Sequence, residues 1–317
     1  MLLPRHLPLR DLFVLLAVLA VAVTTFLAAA RVAIGWLHRR FVTHSPVPRR
    51  FRWWRRTVVV LAVGGLVCMA YARFVEPYWL AVRRVTLASA KIPPSCRPIR
   101  IVHISDLHSD ANPRLEEKLP EVVASLNPDV IAFTGDACNG PEGLPNFRRC
   151  MARLALIAPT YEVRGNWDGT SGLYTGTGVK ELDGVGVCVE VASARLWLSG
   201  LPAYADDRIA SALESKPADA YSVFLYHSPD GIFEFTKRGV DLVLSGHTHG
   251  GQVALPFYGA VITLSSFGKR FEGGFYQLGD TAFNVSRGIG MEGGRFVPRL
   301  RFLARPEITL IEVAPAK

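Results

Sequence analysis

The stretch Val243-Leu244-Ser245-Gly246-His247-Thr248-His249-Gly250-Gly251-Gln252 decides how the chain is read. A short apolar run, Val240 to Leu244, reads as a buried strand. It leads directly into two histidines separated by one residue and hemmed in by glycines. At strand spacing, side chains two apart point the same way. If the extended geometry persists, His247 and His249 offer two imidazoles to one spot at the carboxyl end of a strand. In open α/β sheets, ligands bind at that edge. Gly246, Gly250 and Gly251 permit positive φ and close backbone approach. An isolated His-x-His in a glycine-rich turn is an ordinary surface feature. This one gains weight because four other strands end in similar donors.

From residue 97 onward, strands and helices alternate, which favours an α/β fold. Ile99–Ile104 reads as a strand ending in Asp106 and His108, again two apart. Asp129–Thr134 ends in Asp136, Thr160–Val163 in Asn166, and Ser222–Tyr226 in His227. Leu115–Leu126, Phe147–Ile157 and Arg208–Glu214 have helical character. Residues 185–191 and 195–199 form a strand pair, and Ile308–Val313 is a last strand in a tail suited to antiparallel pairing.

Seven donors result: Asp106, His108, Asp136, Asn166, His227, His247 and His249. All are oxygen or imidazole nitrogen. Such a set suits Mn²⁺, Fe, Zn²⁺ or Ni²⁺ better than Ca²⁺ or a structural zinc. It is too large for one ion and sufficient for two divalent ions sharing a carboxylate. A pair of ions about 3.5–4 Å apart can clamp a phosphate and generate hydroxide near neutral pH.

Charge divides the chain. Residues 1–98 carry fifteen Lys and Arg against two acids, a net of +13, and the remainder carries 21 basic against 25 acidic residues, a net of −4. The acidic globular part argues against a nucleic-acid-binding face. The five cysteines show no C-x-x-C spacing, which argues against a thiolate zinc site or a redox motif.

Leu12–Ala30 is uncharged and spans about the length needed to cross 30 Å of hydrocarbon. Thr57–Ala72 is a second apolar run, followed by Tyr78 and Trp79, which suit an interfacial belt. Spans are expected at about 12–34 and 57–75. The segment between them, Arg31 to Arg56, carries eight arginines and no acid. The positive-inside rule puts that loop in the cytoplasm and everything after residue 75 outside. A cleaved leader ending near Ala28-Ala29-Ala30, or a re-entrant second helix with Gly64 and Gly65, are the competing readings. Trp79–Ala88 reads as an edge strand leaving the membrane.

The series SDLH, GD, GNxD, HSP and GHTHGGQ, in this order, resembles the calcineurin-like metallophosphoesterase superfamily. It is most similar to the membrane-associated bacterial branch, which holds phosphodiesterases and lipid A pathway pyrophosphohydrolase-like proteins. The resemblance covers residues 97–313. It implies a four-layer α/β/β/α sandwich, here preceded by two transmembrane helices. A membrane anchor over 1–76 and a phosphoesterase domain over 77–317 follow. It further implies that Asp106, His108 and His249 hold one ion, that Asn166, His227 and His247 hold another, and that Asp136 bridges them. Asp136, Asn166 and His227 count as catalytic as well as metal-holding. A hydroxide between the ions would attack phosphorus in line.

Two positions depart from the family pattern. Trp167 stands where the family has a histidine that contacts the phosphate or protonates the leaving oxygen. An indole cannot act as a general acid, and such help is worth about 10²–10⁴-fold. This favours good leaving groups, as in pyrophosphates or activated diesters. It also motivates the rival reading of a metal-binding pseudo-enzyme. Asn139 stands where the family often has Asp, and is expected to act on the site indirectly. Asp168 either pairs with Arg164 or caps the next segment.

The remaining polar and aromatic candidates are weaker. His103 reads as a core residue or a neighbour of the site, and His6 and His44 as solvated. Arg287, Arg295 and Arg301 are candidates for an anionic headgroup, and Phe267, Phe271, Phe275 and Tyr276 for a lipid-facing groove. Solvated arginines and core aromatics are the plainer readings.

The expected protein is a multi-pass membrane phosphohydrolase with an extracytoplasmic catalytic domain. Its expected partners are the lipid bilayer and a phosphate-containing substrate, with a lipid-linked one such as a UDP-diacylglucosamine-like glycolipid as a candidate; no nucleic acid is expected. UDP-linked precursors are cytoplasmic, so an outside domain favours an exported lipid, wall polymer or extracellular diester. An alkaline-phosphatase fusion after residue 100 should be active. Activity only from a cytoplasmic reporter at that point contradicts this topology.

Overall fold

Strands that are apolar on both faces must be covered on both faces, and this requirement sets the layering. The computed structural model describes residues 9–44, 49–169, 172–293 and 299–316. Two long helices come first, α1 (Leu9–His38) and α2 (Arg49–Phe74). The domain follows as β1 (Ala81–Ser89), β2 (Ile99–Ile104), α3 (Leu119–Ser125), β3 (Val130–Phe133), α4 (Leu144–Ala155), β4 (Thr160–Glu162) and β5 (Lys180–Glu181). Its second half is β6 (Val187–Val191), β7 (Ala194–Leu201), α5 (Ile209–Ala212), β8 (Tyr221–Tyr226), α6 (Ile232–Lys237) and β9 (Leu242–Ser245). A small ribbon, β10 (Ala254–Leu255) and β11 (Gly259–Ala260), precedes β12 (Gly274–Leu278), β13 (Thr281–Val285) and β14 (Glu307–Pro315).

Two six-stranded sheets result, ordered β1-β14-β2-β3-β4-β5 and β12-β13-β9-β8-β7-β6. Their facing sides bury Ile99, Ile101 and Ala132 against Leu198, Leu225 and Leu244. The outer face of the first sheet buries Val102, Ile131 and Phe133 under Val123, Phe147 and Leu154 of α3 and α4. The outer face of the second buries Trp197, Phe224 and Phe283 under Ile209, Ile232 and Phe235 of α5 and α6. The order of layers is therefore α/β/β/α, as the family resemblance implied.

Some local expectations are corrected. α3 starts at Leu119 because Pro120 lacks the N–H an interior helical residue would donate, so it fits only the first turn. The tail is not purely antiparallel: β12–β13 and β14–β2 are, whereas β13–β9 and β1–β14 run parallel. β1 is the edge strand expected. Phe271 is buried among Phe233, Phe267, Tyr276 and Phe283, and Phe275 packs half-buried against the core between the sheets, so these aromatics pack with the core.

The eight arginines of the connecting segment lie in helix, not loop: one in α1, two in a π-helical turn at Arg39–Thr43, and five in the first two turns of α2. α1 and α2 stack through Phe26, whose ring meets the bare face of Gly65. α2 is continuous through Gly64 and Gly65. Both helices are long and apolar enough to cross a membrane.

Glu162, the last residue of β4, is buried, and neither carboxylate oxygen has a hydrogen-bond partner among the described residues. Burial pushes its carboxyl up to about 9 from the ordinary 4.5. Because the folded value lies above the unfolded one, stability is full below about 4.5 and erodes as pH rises toward about 9. Glu162→Gln should flatten this alkaline loss. The fall in Tm between neutral pH and about pH 9 should shrink by about 2–4 °C per kcal/mol of charge burial relieved.

Candidate metal centre

The carboxyl ends of β2, β3, β4, β8 and β9 meet where the two sheets abut, and each delivers its donors just past the last strand residue. The extended geometry does not persist there. Asp106, His108, Asp136, His247 and His249 all have left-handed backbone, with φ between 40° and 71°. Non-glycine residues rarely adopt that region, and it concentrates at functional sites. The consequence is a correction: His247 and His249 do not share one spot. The left-handed turn sends His249 toward β2 and His247 toward β8.

One set forms around Asp106, His108, Asp136 and His249, all buried, with donor atoms within 4.8 Å of one another. His108 Nε2 lies 3.2 Å from His249 Nε2, and His249 Nε2 lies 3.4 Å from Asp106 Oδ1. The other gathers His227 Nε2, 3.2 Å from His247 Nδ1 and 2.9 Å from Asn166 Oδ1. One atom joins them: Asp136 Oδ2 is 3.4 Å from His108 Nε2 and 3.3 Å from His227 Nε2. The structure thus brings all seven expected residues together.

Backbone donors aim this cluster. The His247 N–H reaches both oxygens of Asp106, at 3.1 and 3.2 Å. The Trp167 N–H takes Asp136 Oδ1 at 2.9 Å, leaving Oδ2 for the shared position. Asp168 does not pair with Arg164. It accepts the N–H groups of Gly165, Asp136 and Ala137 at 2.7–2.9 Å, tying the β4 loop to the β3 loop. Only glycine fits at 165 and 246, since a Cβ at either would overlap the Asp136 or Asp106 carboxylate. His227 Nδ1 donates to the Thr134 carbonyl at 2.7 Å, which points Nε2 inward. His247 Nε2 likewise donates to the Leu264 carbonyl at 3.2 Å.

So many acceptors facing one another without a cation is unfavourable. Donors about 2.1 Å from one tetrahedral ion are about 3.4 Å apart, close to the spacings here. The donor set of imidazoles, carboxylates and an amide fits divalent metal. Protonation agrees. Burial opposes charge on His227 and His108, but the Asp136 carboxylate overcomes it, raising His108 and lifting His227 to about 10. Burial, then the His227 charge, lowers His247 to about 4. Burial, His108 and the Arg301 guanidinium hold His249 well below the usual range.

Other residues were misread or missed. Arg301 is fully buried rather than solvated; it donates to the carbonyls of Gly290, Arg287 and Ala304 and lies 3.4 Å from His249 Nδ1. Its signal was an arginine within the apolar run Leu300-Arg301-Phe302-Leu303. Arg295 lies outside the described residues, as does His6. Asn139 touches no donor atom; its amide holds the backbone carbonyls of His108 and Met291. His103 links the sheets, bonded to Asn284 of β13 and to Thr134. Glu292, unassigned from sequence, is buried and accepts the Trp167 indole N–H at 3.3 Å. The indole stands edge-on to His108 at 5.6 Å.

Comparison with known proteins agrees with this geometry. A family model described as calcineurin-like phosphoesterase matches residues 99–251. The uncharacterized metallophosphoesterase YkuE of Bacillus subtilis is 36% identical over 274 residues, covering 79% of this chain and 92% of that protein. The chain belongs to the calcineurin-like phosphoesterase family. The phosphodiesterase YaeI of Escherichia coli is 27% identical, over 83% of this chain and 98% of its own length. A bovine transmembrane protein with metallophosphoesterase domain is 28% identical, over 81% of this chain and 61% of its own. As a family member with a buried donor cluster, this metallophosphoesterase is a metal-using hydrolase of phosphoric esters.

Two outcomes follow. In the metal-free protein His227, lifted to about 10, holds a proton at neutral pH, so Mn²⁺ binding should release protons and tighten as pH rises. Calorimetry in two buffers of different ionisation heat measures this, and no buffer dependence contradicts it. Asp168→Ala should weaken metal binding by about 10–100-fold although Asp168 touches no ion.

Proposed function

We propose that this metallophosphoesterase is membrane-anchored and holds two divalent cations, one by Asp106, His108 and His249 and one by Asn166, His227 and His247. Asp136 would be shared between the two. It cleaves a phosphodiester or pyrophosphate bond. The observation carrying this reading is the near-equal approach of Asp136 Oδ2 to His108 and His227, at 3.4 and 3.3 Å. Two bound cations would supply Lewis-acid stabilisation of the phosphoryl oxygens and activation of water near neutral pH.

The chain's own residues set the rest. Asp106, held by the His247 N–H, and Asp136, held by the Trp167 N–H, stay fixed and ionised beside the cations. The indole N–H of Trp167 is engaged by Glu292, so it offers the leaving oxygen nothing. A leaving group stable as an anion needs no proton, which favours pyrophosphates and diesters of acidic alcohols.

The anchor is read from α1 and α2. Their arginine-rich connection lies at one end of the hairpin, and the domain is joined at the other. Asp11 near the start of α1 accepts the Tyr258 hydroxyl at 2.7 Å, and Ala72 near the end of α2 accepts the Arg301 N–H at 3.0 Å. With the arginines cytoplasmic, the domain is extracytoplasmic. An exported lipid-linked phosphate then fits better than a nucleotide-linked precursor. The name of the bovine relative supports the anchor and that of YaeI the diester.

The test is turnover of a chromogenic diester by the full chain in detergent with Mn²⁺. Asp136→Asn should lower kcat by at least about 100-fold, the scale of losing a preorganised electrostatic group. Trp167→His should raise turnover on poor leaving groups by about 10-fold or more, with metal content unchanged. No turnover by the metal-loaded parent chain supports a non-catalytic metal-binding protein instead.

A further inference from the structure

The donor cluster and the helical hairpin share one edge of the domain. β14 runs antiparallel to β2, with Thr309 opposite His103, so β14 starts at the carboxyl end of β2. β1 starts beside it, with Ala81 opposite Glu307. Gly288 and Ile289 fill the gap, bonded to Glu307 on one side and Ser105 on the other. The chain therefore passes from α2 into the sheet at the metal-centre end. Glu76, just after α2, accepts the N–H groups of Leu303 and Ala304 at 2.9 and 2.6 Å. Arg301 joins the two regions directly, its N–H on Ala72 and its guanidinium against His249.

Two apolar tips project from this edge. Phe257 is fully exposed and Leu303 half-exposed, and both have left-handed backbone, with φ of 62° and 54°. Bulky residues take that conformation only where the surroundings impose it. The Phe257 tip is held because Tyr258 is bonded to Asp11 of α1, and the Leu303 tip because Glu76 takes its N–H. Aromatic rings with cationic partners flank them: Tyr258 between Arg10 and Lys269, and Trp79 under Arg305 at 3.9 Å. Such pairs are typical of the membrane–water interface.

Between the tips lies a cavity of about 220 Å³, lined among others by Gly250, Leu255, Phe257, Glu272, Arg287 and Leu303. Its charges are balanced, Glu272 by Lys269 at 3.0 Å and Arg287 by Glu307 at 4.0 Å. Its lip is apolar, and its wall at Gly250 is the residue after His249.

We propose that this edge sits in the headgroup layer of the bilayer and that the cavity receives the neck of an amphiphilic phosphate taken from the membrane rather than from water. This rests on reading α1 and α2 as spans and the cluster as the metal centre. A site serving only soluble esters has no need of two strained apolar tips at the ends of its anchoring helices.

The full chain is reconstituted in phosphatidylcholine vesicles with or without bromine on the upper acyl chain. The emission added by Phe257→Trp should be blue-shifted and quenched by the bromolipid. Water-like emission without quenching overturns the proposal. This arm needs no turnover, so failure of the hydrolase reading leaves it decisive. In the second arm, p-nitrophenyl hexadecyl phosphate in vesicles is compared with p-nitrophenyl methyl phosphate in water. The double variant Phe257→Ser, Leu303→Ser should lower the ratio of the two turnover rates by about 10-fold, the scale of removing buried apolar side chains. An unchanged ratio overturns the proposal.

Discussion

One carboxylate oxygen, Asp136 Oδ2, stands between two imidazole nitrogens that belong to different sheets. Much of the domain serves to keep it there. β3 brings Asp136 to the sheet edge, and Gly165 lets the β4 loop approach it without a clashing Cβ. Trp167 occupies its other oxygen, and Asp168 holds its backbone. A buried carboxylate facing two imidazoles is stabilised by positive charge between them, whether protons or cations. The same geometry that raises His227 to about 10 without metal prepares the position for a divalent ion.

The sandwich explains how seven donors from five loops reach one place. Two sheets packed face to face bring both sets of strand ends to one rim, and His103–Asn284 bridges the sheets in the interior. Left-handed turns at the rim then redirect individual side chains. This local strain separates His247 from His249 and lets one His-x-His serve two positions. The rim is also where α2 enters the domain, so the helical hairpin and the donor cluster are neighbours through Arg301.

Much of this was legible from the sequence because strand-ending motifs combine an apolar run with a polar terminus. The run sets the strand and the terminus exposes the polar side chains, so the seven residues that the fold brings together could be named before any geometry. What escaped depended on contacts distant in sequence. Arg301 reads as a surface arginine until its guanidinium is seen ringed by carbonyls. Glu292 has no local pattern and acquires meaning only from Trp167, far away in the chain. The turn at His247–His249 was misjudged because spacing fixes direction only while the backbone stays extended. The helical course of the arginine-rich segment was missed because charge density suggested a loop. In a hairpin of long helices, continuing the helix keeps the backbone hydrogen bonds satisfied up to the turn.

The central claim is a pair of cations sharing Asp136. Electron paramagnetic resonance of the full chain loaded with Mn²⁺, together with elemental analysis, tests it most directly. Two manganese ions per chain with the spectrum of an exchange-coupled pair are expected. A single uncoupled ion at saturation, or none, would contradict the account.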